Sequence, residues 1–462
     1  MKASEIETIV ALATPLGPSG IGIVRMSGPQ SPSILAGLWE GALPCARFET
    51  HRLYKGVLKA PNLDRHLDHI MACWMKAPQS YTGEDVVEIH AHGGPLLLEK
   101  ILGALVTQGA RLALPGEFTQ RAFVNGKIDL VQAEAIADLI MGQNEETLKV
   151  AERQLSGALS QHIQILRDRL LQICVALEGD IDFVEEEDIS AIDRKVLKNQ
   201  LDQALHSVDQ WLKTYQEGRL WREGIQCPII GRPNVGKSSL LNALLNQDRA
   251  LVHDRPGTTR DTVEETLLLE GLPVRLIDTA GLYSSTDSIE IAGQERSRSK
   301  IRAGDLCLWV VDGSEPLSKE DRALYDFLQE RSFLLVINKA DKGLKVDVEA
   351  LETSFHPVGC PVISALRGQG ILDLRKSIKK WAIHEGRALD ADVVINKQRH
   401  FEALSRCHQF LQGAKEGLLQ GLPQELVADD MALAVKALRE ITGEITTDEV
   451  LGEIFSRFCV GK

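Results

Sequence analysis

Residues 231–238 are the part of this 462-residue sequence best suited to chemistry, and they read GRPNVGKS. The apolar segment CPII comes directly before them, and the helical segment SLLNALLN follows. A glycine-containing turn between a strand and a helix directs backbone N–H groups at phosphate oxygens, and the start of the helix favours negative charge. We expect Lys237 to contact the β- and γ-phosphates and the Ser238 hydroxyl to bind Mg²⁺. The pattern predicts a nucleoside triphosphate site.

Three further motifs follow in the order that is typical of GTPases. They are DTAG at 278–281, NKAD at 338–341 and SAL at 364–366, and each follows an apolar, strand-like segment. Asp278 is suited to hold Mg²⁺ through a water molecule, and the N–H group of Gly281 is suited to meet a γ-phosphate. Each tetrapeptide alone is a weak signal, but this order and spacing predict a GTPase.

The choice of base is expected to rest on Asp341 of the NKAD motif. A carboxylate there accepts hydrogen bonds from both N1–H and the exocyclic amine of guanine, whereas adenine offers no such pair of donors and leaves the carboxylate unpaired. The backbone of SAL is expected to support the guanine ring. In the glycine-containing loop DRPGTTRD at 254–261, Thr259 is placed to give Mg²⁺ a second hydroxyl ligand.

The residue that activates water is not obvious. Leu282 follows DTAG at the position where many small GTPases have Gln, and Leu neither donates nor accepts a hydrogen bond. Glu290 is a candidate general base, although the sequence alone favours a solvated carboxylate at a helix start. Arg255 and Arg260 are nearby, but neither is assignable as an arginine finger. Asn234 is suited either to bind a monovalent cation or to cap the loop.

Composition restricts the function classes. The 52 Lys and Arg against 65 Asp and Glu give a net charge of −13, which excludes a generally basic nucleic-acid-binding surface, so an RNA partner must meet a local basic patch or be held by another protein. The eight cysteines form no CxxC pair, which argues against a zinc finger and suits a reducing compartment. No segment resembles a signal peptide or a membrane span, and we expect a cytoplasmic location without membrane contact.

The hydrophobic patterning predicts a multidomain protein. Residues 1–125 alternate short strand-like runs with turns, as an α+β domain does. Residues 126–223 and 385–462 have apolar residues three and four apart, which predicts one split all-α domain. Between these two helical segments, 224–384 alternates strands with helices and carries the GTPase motifs. The simplest arrangement is a helical domain with an α/β P-loop G domain inserted in it.

The sequence resembles the MnmE family, also called TrmE, of tRNA modification GTPases. The resemblance rests on the motif set inserted in a helical domain and on five further segments. These are TIVALATPLGPSGIGIVRMSGP (8–29), SYTGEDVVEIHAHGG (80–94), PGEFTQRAFVNGKIDLVQAEA (115–135), IDFVEEED (181–188) and FCVGK (458–462). It covers essentially the whole chain and implies an N-terminal domain similar to folate-binding aminomethyltransferase modules, a helical domain and an inserted Ras-like G domain.

The resemblance also implies an activity and partners. Family members form homodimers through the N-terminal domain and act with the flavoprotein MnmG, as a heterotetramer or larger assembly. Together they add an aminomethyl or carboxymethylaminomethyl group to C5 of the wobble uridine (U34) of certain tRNAs. The one-carbon unit comes from a 5-formyl- or 5,10-methylene-tetrahydrofolate. GTP hydrolysis is activated by K⁺-dependent pairing of two G domains.

Site residues carried over from the family extend the motif assignments. Glu290 matches the catalytic Glu, which acts with Lys237. The residues expected to bind K⁺ are Asn234, His253, Arg255 and Thr258, with the His253 side chain the least suited. The residues expected to bind folate are Arg25, Glu88, Lys127 and Lys462. Cys459 matches a cysteine that either takes part in modification or is simply a packed or exposed thiol.

The expected guanine-nucleotide contacts combine the motifs with these matches. They are Asn234, Val235, Gly236, Lys237, Ser238, Ser239, His253, Asp254, Arg255, Pro256, Gly257, Thr258, Thr259, Asp278, Thr279, Ala280, Gly281, Asn338, Lys339, Asp341, Ser364, Ala365 and Leu366. Two other functions remain open from the sequence. One is a ribosome-assembly or signalling GTPase with a non-catalytic N-terminal domain, and the other is a folate-dependent enzyme with a degenerate G domain.

Overall fold

The computed structural model of this protein describes residues 7–61, 65–182, 194–245, 264–269, 271–278, 304–329, 331–383 and 391–462. These residues form two compact units, each of which combines discontinuous parts of the chain. The first unit takes the described parts of 1–140, 152–192 and 417–462, and the second takes those of 141–151 and 193–416.

The first unit contains a seven-stranded sheet, in the order β3-β4-β5-β6-β2-β1-β7. Its neighbouring strands are antiparallel except for β1 and β7, which pair in parallel. The strands are β1 (Ile9–Leu12), β2 (Ser19–Ser27), β3 (Trp39–Glu40), β4 (Leu53–Lys59), β5 (His66–Met75), β6 (Val86–Gly93) and β7 (Arg111–Leu112).

Alternation along the central strands gives the sheet one apolar and one polar face. Val24 and Met26 of β2 are buried, and they belong to a core with Leu98 and Ile101. That core includes helices α1 (Ser31–Leu38) and α2 (Pro95–Thr107), and Pro95 occupies the first turn of α2, where a missing N–H costs nothing. Because successive side chains point to opposite faces of a strand, Arg25 is left on the face away from this core.

Helices make up most of the rest of the first unit. Helix α6 packs on α14, and α3 packs on α15. Phe455 and Phe458 lie in a core with Leu130 and Ala133. The segment around 458–462 reaches the N-terminal sheet, where the Gly461 carbonyl accepts from Arg25 of β2. The helices are α3 (Glu117–Val124), α4 (Leu130–Met141), α5 (Glu145–Leu155), α6 (Ala158–Asp182), α13 (Gln398–Gln420), α14 (Gln424–Thr442) and α15 (Asp448–Ser456). Helices α4, α5 and α13 contain residues of both units.

The second unit contains a five-stranded sheet in the order β12-β11-β8-β10-β9, parallel except for β9. The strands are β8 (Ile225–Ile230), β9 (Glu264–Leu269), β10 (Leu272–Asp278), β11 (Cys307–Asp312) and β12 (Phe333–Asn338). The helices are α7 (Arg194–Lys213), α8 (Tyr215–Glu223), α9 (Lys237–Leu245), α10 (Lys319–Tyr325), α11 (Val348–Phe355) and α12 (Ile371–Ala382). The carboxyl ends of the parallel strands lie along one edge, where ligands bind in open α/β sheets.

Most predicted elements are confirmed, but the strand expected directly before SAL, at 361–363, is not. Val362 makes only a single parallel bridge, to Ile337 of β12. Pro361 has no N–H to donate, so this short run cannot extend a ladder. In the parts of the chain listed above, no helix is both long and apolar enough to span a membrane.

Candidate functional site

The predicted phosphate loop connects β8 to α9. Gly236 has φ +101°, and a Cβ atom there would collide with the side-chain amide of Asn338. The loop therefore requires glycine at this position. Asn234 has φ +63°, a left-handed conformation that Asn tolerates better than most residues. Ser238 is exposed in the first turn of α9, as a hydroxyl that binds a metal ion must be.

Lys237 is held over this loop by main-chain carbonyls. Its Nζ donates to the oxygen of Gly231 at 2.6 Å and to that of Arg232 at 2.9 Å, and the residue is only 6% exposed. A buried cation needs such partners to offset its desolvation. The ammonium is thus fixed at the start of α9. The positive end of the helix dipole lies there too, so both groups attract an anion such as phosphate.

Asn338 joins three of the predicted motifs. Its Nδ2 donates to the carbonyl oxygen of Val235 in the phosphate loop at 2.8 Å, and its Oδ1 accepts from the N–H of Ala365 in SAL at 3.0 Å. Asn338 is 2% exposed, so both hydrogen bonds are shielded from water. NKAD therefore supplies the connection between the phosphate loop and the SAL segment.

The candidate guanine-recognising carboxylate, Asp341, is also fixed by SAL. Ser364 donates from Oγ to Oδ1 of Asp341 at 2.6 Å, and Nε of Arg367 lies 3.9 Å from Oδ2. The hydrogen bond from Ser364 is the main reason that the pKa of Asp341 is lowered. The carboxyl group is therefore ionised at neutral pH, as an acceptor for two guanine donors must be. Leu366 is largely exposed, and only its backbone is suited to support a base.

Lys339 pairs with a buried carboxylate that the motifs do not include. Its Nζ lies 2.6 Å from Oδ2 of Asp312, the last residue of β11, which also accepts from Ser314. Burial raises the pKa of Asp312, but the hydrogen bonds from Lys339 and Ser314 outweigh burial and lower it. Asp312 is therefore an anion that anchors NKAD.

Several predicted residues fall beyond what the structure describes. His253 to Thr259, Thr279 to Gly281 and Glu290 lie outside the described residues, so their roles stay predictions. For Asp278 the structure gives only the backbone, at the carboxyl end of β10 beside β8.

A second cluster of charges lies on the polar face of the N-terminal sheet. Arg25 of β2 and Glu88 of β6 are direct cross-strand partners, with Nε 2.8 Å from Oε1. Nη1 of Arg25 also donates to the carbonyl oxygen of Gly461 at 3.3 Å. Burial and the charge of Arg25 lower the pKa of Lys462, while Glu88 opposes this shift. Three of the four residues expected to bind folate therefore lie together.

The other two candidates in this unit lie apart from these contacts. Lys127 donates from Nζ to the carbonyl oxygen of Pro78 at 3.0 Å. Cys459 is exposed, two residues before the Gly461 carbonyl that Arg25 contacts.

Sequence reasoning missed residues that surround the Arg25–Glu88 pair. Nε2 of His90 lies 3.4 Å from Oε2 of Glu88, and the Arg25 guanidinium lies 6.0 Å from the centroid of the Phe118 ring. Tyr81 shares a hydrogen bond of 2.8 Å with Thr119. All of these residues belong to the segments 80–94 and 115–135. The family resemblance rests on these segments, but it did not indicate the roles of these individual residues.

Comparisons with known proteins agree with this geometry. Residues 8–127 match the family described as GTP-binding protein TrmE N-terminus, and 130–459 match the MnmE helical domain. Proteins named tRNA modification GTPase MnmE are similar over the full chain. Those of Aquifex aeolicus and Syntrophus aciditrophicus are 43% and 42% identical, over 99% of this chain and 100% and 99% of theirs. The one from Natranaerobius thermophilus is 40% identical, over 99% of both chains.

The chain belongs to the MnmE family of tRNA modification GTPases. As an MnmE-family protein it is a GTPase that acts in tRNA modification. The predicted fold class, an α+β N-terminal domain, a helical domain and an α/β G domain, is confirmed.

Proposed function

We propose that this GTPase acts with the flavoprotein MnmG to add an aminomethyl or carboxymethylaminomethyl group to C5 of the wobble uridine in certain tRNAs. The observation that carries the proposal is the pairing of Arg25 with Glu88 beside Lys462, in a chain that also holds a GTPase motif set. A tetrahydrofolate derivative, either 5-formyl or 5,10-methylene, supplies the one-carbon unit when bound.

The chemistry of the Arg25–Glu88 cluster fits such a ligand. A pterin presents an edge of donors and acceptors that a carboxylate such as Glu88 can pair with, and the glutamate tail is anionic. Arg25 and Lys462 are two cations near each other, and the pKa of Lys462 is lowered by burial and by Arg25. An anionic group between them relieves this repulsion. We propose Lys127 as a fourth folate contact; its ammonium donates to the carbonyl oxygen of Pro78.

In the G domain, we assign GTP to the phosphate loop and the base-recognition segments. Lys237 binds the β- and γ-phosphates, Asp341 binds guanine, and Asn338 holds both loops at a fixed distance. Mg²⁺ neutralises phosphate charge when bound, and its protein ligands are the hydroxyls of Ser238 and Thr259.

For the activation of hydrolysis, we propose K⁺ at Asn234 and the 253–258 loop, including His253, Arg255 and Thr258. K⁺ there offsets charge between the β- and γ-phosphates, as an arginine does in other GTPases. The G domains of a homodimer pair and fix Glu290 near water. After hydrolysis the two G domains separate, and a conformational change in the helical domain transmits this separation to the folate site.

The domain limits belong to the same proposal. Residues 1–125 bind folate and dimerise, 126–223 with 385–462 form the split helical domain, and 224–384 form the G domain. Cys459, exposed near the Arg25 cluster, is proposed to act in modification. We place the protein in the cytoplasm, where tRNA and MnmG are available.

Equilibrium binding with purified full-length protein tests the two sites separately. We expect GTP to bind far more tightly than ATP, and a tetrahydrofolate to bind in the absence of nucleotide. Lys237→Ala should lose GTP but retain the folate, and Arg25→Met should do the reverse. Equal binding of GTP and ATP, or no binding of any tetrahydrofolate, would contradict the proposal.

A further inference from the structure

Arg232, a variable position of the phosphate-loop motif, is tied to acidic residues that belong to none of the GTPase motifs. Its Nη2 donates to Oε2 of Glu315 at 2.9 Å, and its Nε lies 3.3 Å from Oδ2 of Asp321. Glu315 is largely exposed, whereas the Asp321 side chain is 1% exposed. The contact with Asp321 is therefore the shielded one, and solvent screens it little.

Asp321 is itself held rigidly at the start of α10. Its Oδ2 accepts from both the N–H group and the hydroxyl of Ser318, at 3.0 and 2.8 Å, and its own N–H donates back to the Ser318 hydroxyl. This reciprocal arrangement is a capping box. The carboxylate that meets Arg232 therefore has a fixed position and orientation.

The main chain of Arg232 faces the candidate phosphate-binding lysine. Its carbonyl oxygen accepts from Nζ of Lys237 at 2.9 Å. One residue thus contacts Lys237 through its backbone and Asp321 through its side chain. The segment 312–321 also holds NKAD, because Asp312 pairs with Lys339. Carboxylates from this one segment therefore hold both nucleotide-binding loops.

We propose that Arg232 is a positioning residue, which anchors the phosphate loop to Asp321 and so fixes Lys237 where the phosphates bind. The inference rests on the proposed nucleotide site at Lys237 and goes beyond it. A loop that is already ordered loses less conformational freedom when a ligand binds, so the ion pair strengthens nucleotide binding without touching the nucleotide.

Nucleotide affinity of Arg232 variants tests this role in the full-length protein. The contact between Arg232 and Asp321 is an ion pair without hydrogen-bond geometry. Coupling between two such neighbouring residues typically corresponds to about a twofold to hundredfold change in an equilibrium constant. Arg232→Met should weaken GDP binding by about that factor, mainly through faster release, and Arg232→Lys should restore part of it. GDP affinity within about twofold of wild type in Arg232→Met would overturn the inference.

The matched control is Arg322→Met, because Arg322 is exposed on α10 itself. It removes an arginine from the same helix and should leave both GDP affinity and the unfolding temperature near those of wild type. An equal loss of affinity in Arg322→Met would show a general effect of charge, and would also overturn the inference.

A double-mutant cycle shows whether Arg232 acts through Asp321. Asp321→Asn retains a side-chain oxygen for the capping box but removes the charge that Arg232 meets. If the two act as a pair, Arg232→Met combined with Asp321→Asn should bind GDP no more weakly than the worse single variant. Losses that simply multiply would contradict the proposed pairing.

Lys237→Ala separates this inference from the nucleotide site itself. Normal GDP binding in Lys237→Ala would overturn the assignment of the site. Loss of binding in Lys237→Ala together with normal binding in Arg232→Met would retain the site and overturn only the positioning role.

Discussion

The side-chain amide of Asn338 and the main-chain carbonyl of Val235 are joined by a hydrogen bond of 2.8 Å, which connects the NKAD motif to the phosphate loop. The same amide accepts from Ala365, so a single buried residue sets the distance between the segments assigned to phosphates and to base. The segments proposed to bind guanine and phosphate are therefore connected to each other by hydrogen bonds of the protein itself.

Replacing Asn338 by Asp should weaken both folding and GDP binding. The substitution is nearly isosteric, but it puts a carboxylate oxygen against the carbonyl of Val235 and leaves that buried acceptor without a donor. The cost of a lost partner at a buried group is about 1–3 kcal/mol. Thermal unfolding and fluorescent-GDP titration measure both effects. Unchanged GDP affinity would show that this connection does not support the site.

Asp341→Asn should remove the preference for guanine. The amide that replaces the carboxylate presents a donor to a base edge that itself donates, and it no longer accepts from both N1–H and the amine. Competition between GTP and ATP for the same labelled nucleotide measures the preference. We expect GTP affinity to fall by about a hundredfold or more. If Asp341→Asn still binds GTP much more tightly than ATP, a residue other than Asp341 recognises the base.

The pH dependence of folate binding should reveal Lys462. Burial and the nearby Arg25 lower the pKa of Lys462, so its ammonium loses its proton at a lower pH than an ordinary lysine. Attraction for an anionic ligand is complete below that pKa and is lost as the pH rises through it. Calorimetric titration at increasing pH should show this loss in the native protein but not in Lys462→Arg, whose guanidinium stays charged. Identical profiles would contradict the role of Lys462.

Arg25→Met should abolish tetrahydrofolate binding and leave GTP hydrolysis intact. The change removes the cation that pairs with Glu88 and leaves a partly buried carboxylate without its cross-strand partner. Arg457→Met is the control, because Arg457 forms an exposed i,i+4 pair with Glu453 and such pairs contribute little. Fluorescence titration with a tetrahydrofolate distinguishes the two variants. Retained binding in Arg25→Met would show that the polar face of the N-terminal sheet does not hold the folate.

Asn144→Ala should destabilise the second unit more than the loss of an ordinary helix cap. The Oδ1 of Asn144 accepts from the N–H of Thr147 at the start of α5, and its Nδ2 donates to the buried carbonyl of Trp221 at 2.9 Å. The Trp221 carbonyl keeps the hydrogen bond from the Thr147 hydroxyl, so the variant loses one cap and one further hydrogen bond, at a cost of about 2 kcal/mol. Asp347→Ala removes an exposed cap of α11 alone and should cost about 1 kcal/mol. Equal costs, measured by urea unfolding, would contradict a separate role for the Trp221 contact.

The sequence predicts a site residue well when its position depends only on the neighbouring residues in the chain. Gly236 and Lys237 are specified by a turn between a strand and a helix, and that turn has the same form wherever it occurs. Long-range pairs have no such signal. Arg25 meets Gly461 because the chain returns to the first sheet after two further domains, and no spacing in the sequence encodes that return.

The positioning residues were missed for the same reason. Arg232 occupies a position where the phosphate-loop motif accepts any residue, and its partner Asp321 resembles an ordinary capping residue. Only the three-dimensional structure shows that the two meet. The strand predicted at 361–363 failed for a local reason, since Pro361 removes a donor from the ladder.

Mass analysis of tRNA nucleosides measures the proposed modification itself, in cells that lack this protein and in the same cells supplied with variants. We expect wobble uridines without their C5 group in the deletion strain. The wild-type protein and Arg457→Met should restore the C5 group, whereas Lys237→Ala and Arg25→Met should not. Normal C5-modified uridines in the deletion strain, or full restoration by both Lys237→Ala and Arg25→Met, would contradict the proposed function.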